Sequence, residues 1–167
     1  MKFIVPLIFA FNITVSYTRY IETKIEVHFS ARDNCRERIV ECINNSKDSI
    51  IFALYFLTDK EVIKALLDAR KRGVKIEGII DKQCASGASS KKLISELKKN
   101  LKINIINKKY GIMHHKFAVI DRKIVITGSY NWTFSANNRN YENLVIIKNE
   151  DLALEYFKEY KRIIFKH

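Results

Sequence analysis

Along residues 21–29 (IETKIEVHF) apolar and polar side chains alternate, the two-residue period of an edge or half-buried strand, and a polar break follows at residues 30–34. The period then changes to that of a helix, with Ile39, Cys42 and Ile43 on one face. Residues 49–57 (SIIFALYFL) form a continuous apolar run of strand length. Thr58 or Asp59 can cap the next helix, whose Val62, Ala65, Leu66 and Ala69 recur at helical spacing until Gly73 stops it. Residues 74–80 predict another strand, 89–99 a basic helix and 103–106 a short strand. This β-α-β-α-β-α-β order favours parallel pairing with helices outside. The second half differs: residues 113–120 and 123–127 read as strands separated by Asp121-Arg122, a hairpin signal, followed by a strand at 144–148 and a terminal helix over 151–164. The expected fold is α/β, one mixed and largely parallel sheet in an α/β/α sandwich, and the pattern contains no internal repeat.

Ahead of it, Met1-Lys2, an apolar run over residues 3–11, and Asn12, Thr14 and Ser16 have the form of a secretory signal. The run falls short of the roughly 20 apolar residues that cross a bilayer. Residues 1–18 are therefore expected to be a signal peptide or membrane tether, residues 19–167 a single domain, and the protein exported: periplasmic, secreted or membrane-tethered. The 167 residues suit one core. Five Gly and one Pro exclude collagen-like and low-complexity classes. Lys and Arg number 30 against 18 Asp and Glu, and the net charge of +12 attracts polyanions such as nucleic acid or anionic lipid. Cys35, Cys42 and Cys84 contain no CxxC pair. On one helix the first two lie about 10 Å apart, beyond disulfide reach. Cys84 is the partner left for either, and the sequence does not decide whether a bridge forms.

Chemistry concentrates in His114-His115-Lys116 through Asp121, in Gly128-Ser129-Tyr130-Asn131, and in Asn140-Tyr141-Glu142-Asn143. On a strand His114 and Lys116 share a face about 7 Å apart while His115 points away. Asp121 ends that strand, Ser129 and Asn131 form a second i, i+2 pair, and Gly128 permits close backbone approach. An imidazole nucleophile, a fixed cation, an amide and a hydroxyl are what displacement at a phosphodiester requires. Taken singly, Lys116 would be a solvated charge, Ser129 and Asn131 turn formers, and Glu142 a surface carboxylate. Their joint spacing carries the reading. His28, His115 and His167 are expected to have no chemical role.

Written as H-x-K-x4-D-x6-G-S-x-N, the stretch resembles the signature of the phospholipase D superfamily, and most closely its small single-motif bacterial nucleases. Phe29-Ser30, Ala69-x-x-x-Gly73-Val74 and Asn131-Trp132-Thr133 extend the resemblance from Val27 to the carboxyl terminus. The resemblance implies two steps: His114 attacks phosphorus to give a phosphohistidine while a second histidine protonates the leaving oxygen, and water then cleaves the intermediate. It implies catalytic positions at His114, Lys116, Asp121, Asn131 and Glu142, with Lys116, Ser129 and Asn131 on the phosphate. Asp121 would stabilise the motif, and Glu142 would orient His114 by accepting from the nitrogen opposite the attacking one. No metal or other cofactor is implied. With one motif per chain, the second histidine is expected from a symmetry mate, in a C2 homodimer.

Nucleic acid would lie in a groove lined by Lys82, Lys91, Lys92, Lys108, Lys109, Arg122 and Arg139. Tyr110, Tyr130, Trp132 and Phe134 are available to stack on bases, although Trp132 and Phe134 suit a core equally well. The expected activity is metal-independent endonucleolytic cleavage of DNA or RNA, with single strands favoured. A phospholipase D acting on phosphatidyl lipids, with tethered or peripheral membrane association, is the alternative. A non-catalytic nucleic-acid-binding module is a third class.

Overall fold

A computed structural model describes residues 23–167, so the leader expected over 1–18 lies outside the described residues. Among the described residues, seven strands and six helices follow one another as β1 (Lys24–Phe29), α1 (Cys35–Asn44), β2 (Ser49–Leu54), α2 (Lys60–Lys71), β3 (Lys75–Asp81), α3 (Lys82–Ser86), α4 (Ala88–Asn100), β4 (Lys102–Ile106), β5 (Lys116–Ile120), β6 (Ile124–Gly128), α5 (Phe134–Asn138), β7 (Asn143–Lys148) and α6 (Glu150–Lys166). One sheet contains all the strands in the order β1-β7-β6-β5-β2-β3-β4. Residue alternation in β2 separates the two sides. Ile50, Phe52 and Leu54 face a core shared with α1, α2 and α4, whereas Ile51 and Ala53 face Ala153, Tyr160 and Ile163 of α6. Asp59, not Thr58, caps α2, accepting from the N–H groups of Glu61 and Val62. No helix of the described residues is long and apolar enough to cross a membrane.

The sheet is mixed, but parallel pairing is confined to β2-β3-β4; β1-β7, β7-β6, β6-β5 and β5-β2 are antiparallel. The parallel share is smaller than the element order of the first half suggested. Helical crossovers make the parallel neighbours, whereas the tight β5–β6 connection can only return antiparallel. Because β5 runs against β2, one end of the sheet gathers the close of β1, β2, β3 and β6 with the start of β5 and β7. Lys116 pairs with Leu54, Gly128 with Leu144, and Phe29 with Asn143 along this end.

The opposite end carries the β5–β6 turn, where Asp121 and Arg122 take left-handed φ values of 50° and 54°. Such backbone matches the twist of a hairpin, and Asp tolerates it better than most residues. The Asp121 carboxylate accepts from the backbone N–H groups of Lys47 (2.9 Å), Asp48 (2.8 Å) and Ser49 (2.9 Å), fastening the turn to the start of β2. This corrects the grouping of Asp121 with the catalytic residues: the length of β5, about 17 Å at 3.4 Å per residue, separates it from Lys116. The disulfide question also closes. All three cysteines are free, Cys35 and Cys84 are buried, and burial pushes the Cys35 and Cys42 thiols up to about 11.

Asp121→Ala removes a charged acceptor from three backbone donors and should lower unfolding free energy by about 2–4 kcal/mol. Asp121→Asn keeps one acceptor oxygen and a residue tolerant of the turn, and should lose less. Urea midpoints at unchanged m-value check this order. Turnover per folded molecule should stay near wild type in both variants.

Candidate active site

At the gathered end of the sheet, residues just before β5 continue its ladder, with Tyr55 N–H donating to the His115 carbonyl at 2.8 Å. The residue before His114 is fixed from another direction. Asp81 closes β3 with only 3% of its surface exposed, and its carboxylate accepts from Gln83 N–H and Met113 N–H, both at 2.8 Å. Burying a carboxylate is tolerable only where such donors replace water. Tyr55, half-buried, lays its ring 4.7 Å from the His114 ring and 5.3 Å from Lys116 Nζ, and its hydroxyl donates to Gln83 Oε1. Sequence reading passed over both residues. The available signals were a charge closing an apolar strand (GIID) and the one ring with a polar tip in SIIFALYFL.

His114 and Lys116 meet, with Lys116 Nζ 3.1 Å from His114 Nε2 and also donating to the His114 carbonyl at 2.9 Å. An ammonium has only donors, so Nε2 is the acceptor and the neutral ring carries its proton on Nδ1. That tautomer leaves a lone pair on Nε2. Burial holds the Lys116 ammonium below the ordinary lysine range, and the Glu142 carboxylate partly offsets the effect. His115 turns away to Glu159 of α6, with Nε2 3.2 Å from Oε1.

The second block forms across β6 and β7. Gly128 has φ 145°, and a Cβ there would stand 2.2 Å from the Asn143 carbonyl oxygen, so close approach excludes a side chain. Ser129 Oγ donates its one proton to Glu142 Oε2 at 2.5 Å and accepts from Asn143 N–H at 3.1 Å. In this arrangement its proton is engaged by the carboxylate, so Ser129 positions Glu142. Glu142 also accepts from Asn140 Nδ2 at 2.9 Å, and its backbone N–H donates to Ser30 Oγ at 2.9 Å. These bonds direct the carboxylate to Ser129 and Asn140, and it makes no hydrogen bond to His114 of its own chain. The expected orienting contact is therefore absent among the described residues of one chain. Asn131 accepts from Phe56 N–H through Oδ1 at 3.3 Å, leaving its Nδ2 as a donor toward the same end of the sheet.

Of the expected stacking rings, Tyr130 and Trp132 are core residues, 2% and 1% exposed, whereas Tyr110 and Phe134 are exposed. The expected groove is not continuous either, because Arg122 lies over Phe157 at the far end of the sheet. Among the described residues no three His, Cys, Asp or Glu side chains come together as metal ligands do. The assembled chemistry is an imidazole whose Nε2 lone pair faces the Lys116 ammonium, a second donor in the Asn131 amide, and one anchored carboxylate. It suits attack on an electrophile whose oxygens carry negative charge.

Known proteins resemble this chain in both sequence and fold. The family model described as cardiolipin synthase, PLD-like domain, matches residues 39–164. A phospholipase D of Rickettsia felis is 36% identical over 141 residues, covering 84% of this chain and 69% of that protein. Nuc of Salmonella typhimurium, a phospholipase D family member of solved structure, superposes with a TM-score of 0.79 at 28% identity, covering 85% of this chain and 94% of that one. NucT of Helicobacter pylori gives 0.77 at 25% identity, covering 86% and 96%.

The Lys116 amine should titrate below the ordinary lysine range, followed through its labelled Cε resonance. Glu142→Gln removes the charge that supports the ammonium and should move the midpoint lower still. A midpoint unchanged or raised in that variant would contradict the electrostatic account.

Proposed function

We propose that this chain, which belongs to the phospholipase D superfamily, is a metal-independent nuclease whose catalytic centre is completed by a second copy of itself. Members of that superfamily are phosphodiester hydrolases, and so is this chain, which sets aside the non-catalytic module. The observation that carries the finer reading is the His114–Lys116 pair, in which Nε2 is an acceptor 3.1 Å from a cation while the neighbouring His115 is held by Glu159. Each chain thus brings one imidazole to the site.

In the first step the Nε2 lone pair attacks phosphorus and the bond to the leaving ester oxygen breaks. That oxygen takes a proton from the second copy's imidazole. In the second step water attacks the phosphohistidine and the phosphorus–nitrogen bond breaks. The water proton passes to the same second imidazole, and both rings return to their starting states. Lys116 and the Asn131 amide oppose the charge on the non-bridging oxygens through both steps. Glu142, which does not reach its own His114, is available to the imidazole of the second copy. Asp81 and Tyr55 are positioning residues, acting through Met113 and the His114 ring.

A net charge of +12 supports a polynucleotide substrate. The reading of a lipid hydrolase draws on a different observation, the 36% identity with a protein named phospholipase D. Single-stranded DNA, duplex DNA, RNA and phosphatidylcholine vesicles, each assayed in EDTA, separate the two. The expected result is cleavage of nucleic acid, and vesicle turnover without it would reverse the assignment. Activity abolished by EDTA and restored by one metal would refute metal independence.

His114→Ala should reduce turnover by about 10³-fold or more while substrate binding persists. Active enzyme should sediment as a dimer. After subunit exchange with an equal amount of His114→Ala, activity should fall below half of the wild-type value. A strictly monomeric preparation with full turnover would overturn the shared site.

A further inference from the structure

A cleft of about 570 Å³ opens beside His114, between the segment leading from β4 to β5 and the last turns of α6. Its charged wall is cationic, formed by Lys108, Arg162 and Lys166, and no Asp or Glu lines it. Its apolar wall includes Ile106, Ile112 and Ile163. Arg162 is fixed in direction because Nε and Nη2 both donate to Glu159, the carboxylate that also meets His115. The cleft is therefore joined to the motif through His115 and Glu159 as well as through His114.

Resting on the nuclease reading, we propose that this cleft is a second phosphate-binding subsite, which holds the sugar-phosphate backbone next to the scissile diester of a single-stranded polynucleotide. One reacting phosphate is already served by Lys116 and Asn131. Lys108, Lys166 and the Nη1 end of Arg162 left beyond its Glu159 pair surround an adjoining concavity and serve a substrate whose phosphates repeat. Concavity also strengthens their combined field relative to lysines on a convex surface. The apolar wall suits a sugar or base face lying between successive phosphates. A flexible single strand can enter such a recess, whereas the plane of a bilayer meets only its rim.

The test compares a single-stranded decanucleotide with a dinucleoside monophosphate, which contains the scissile diester alone. In Lys108→Ala/Lys166→Ala, the ratio of kcat/KM for the decamer to that for the dimer should fall at least tenfold. With Arg162→Gln added, the salt dependence of decamer binding should become shallower by about 2 log units per log unit of salt, the loss of three phosphate contacts on a single strand. Lys166→Glu, on an exposed last helical turn, gives a version of the test that leaves the core untouched and should lower the same ratio. An unchanged ratio and salt slope, in an enzyme that cleaves both oligonucleotides, would overturn the subsite and leave the nuclease reading standing. A wild-type enzyme that hydrolyses vesicles and neither oligonucleotide would overturn the nuclease reading itself. Loss of turnover on phosphatidylglycerol vesicles with unaltered decamer cleavage would assign the cleft to an anionic membrane surface and overturn the proposal.

Discussion

The antiparallel ladder between β2 and β5 is the constraint on which the rest of the site depends. Lys116 pairs with Leu54, and the Tyr55 N–H to His115 carbonyl bond carries the register one step beyond the strand. Side chains alternate along extended backbone, so a slip of one residue would turn His114 and Lys116 to the α6 side and bring His115 forward. Two buried packing sets oppose that slip. Ala118 and Ile120 belong to the core under α1 and α2, while Phe117 and Val119 belong to the core under α6. The apolar residues that follow the motif therefore determine which histidine faces the substrate end. Asp81, through Met113 N–H, fixes the remaining freedom of the segment.

Within that frame the electrostatics are built from opposing tendencies. Burial disfavours the Lys116 ammonium, and the nearby Glu142 carboxylate supports it. Glu142 is itself held back from the pair by Ser129 and Asn140. A carboxylate in direct contact with Lys116 would neutralise the cation that an incoming phosphate needs. One set at a distance preserves the charge and leaves the ammonium free to turn from Nε2 to phosphate oxygen. Ser129 thus acts on the electrostatics of the pair through the placement of an anion.

Much of this was legible in the sequence because it follows from periodicity. The alternation after His114, the helical spacing of Val62 to Ala69 and the turn at Asp121-Arg122 all report which face is buried. Pairing direction was less legible: a β-α-β order suggests parallel neighbours, yet four of the six pairings are antiparallel, β6–β7 among them although α5 lies between those strands. Side-chain partners were the least legible. That Asp121 binds the backbone at Lys47 to Ser49, and that Asp81 binds Met113, are contacts across 72–74 and 32 positions of chain, respectively. Local pattern contains no information about such closures. Tyr130 and Trp132 show the same limit in another form, since an aromatic residue beside a motif has the same local sequence whether it faces solvent or core.

Net charge was legible too, but its distribution was not, and distribution is what gives a polyanion a path. Arg122 stands over Phe157 at the far end of the sheet, Lys109 over Tyr110 and Arg139 over Phe134. Each contributes to the long-range field that draws a polyanion toward the molecule, and none defines a trough at His114. The cations that do so include Arg162 and Lys166 on α6, which β6, α5 and β7 separate from the motif strand β5 along the chain. The same helix packs Tyr160 and Ile163 into the core and turns Glu159 toward His115. Packing of α6 therefore sets the place of its cations as firmly as the β2–β5 ladder sets the place of His114. In a site of this construction the cleft and the nucleophile share the segment that carries Met113 and His114, so attraction can be diffuse while alignment at phosphorus remains local.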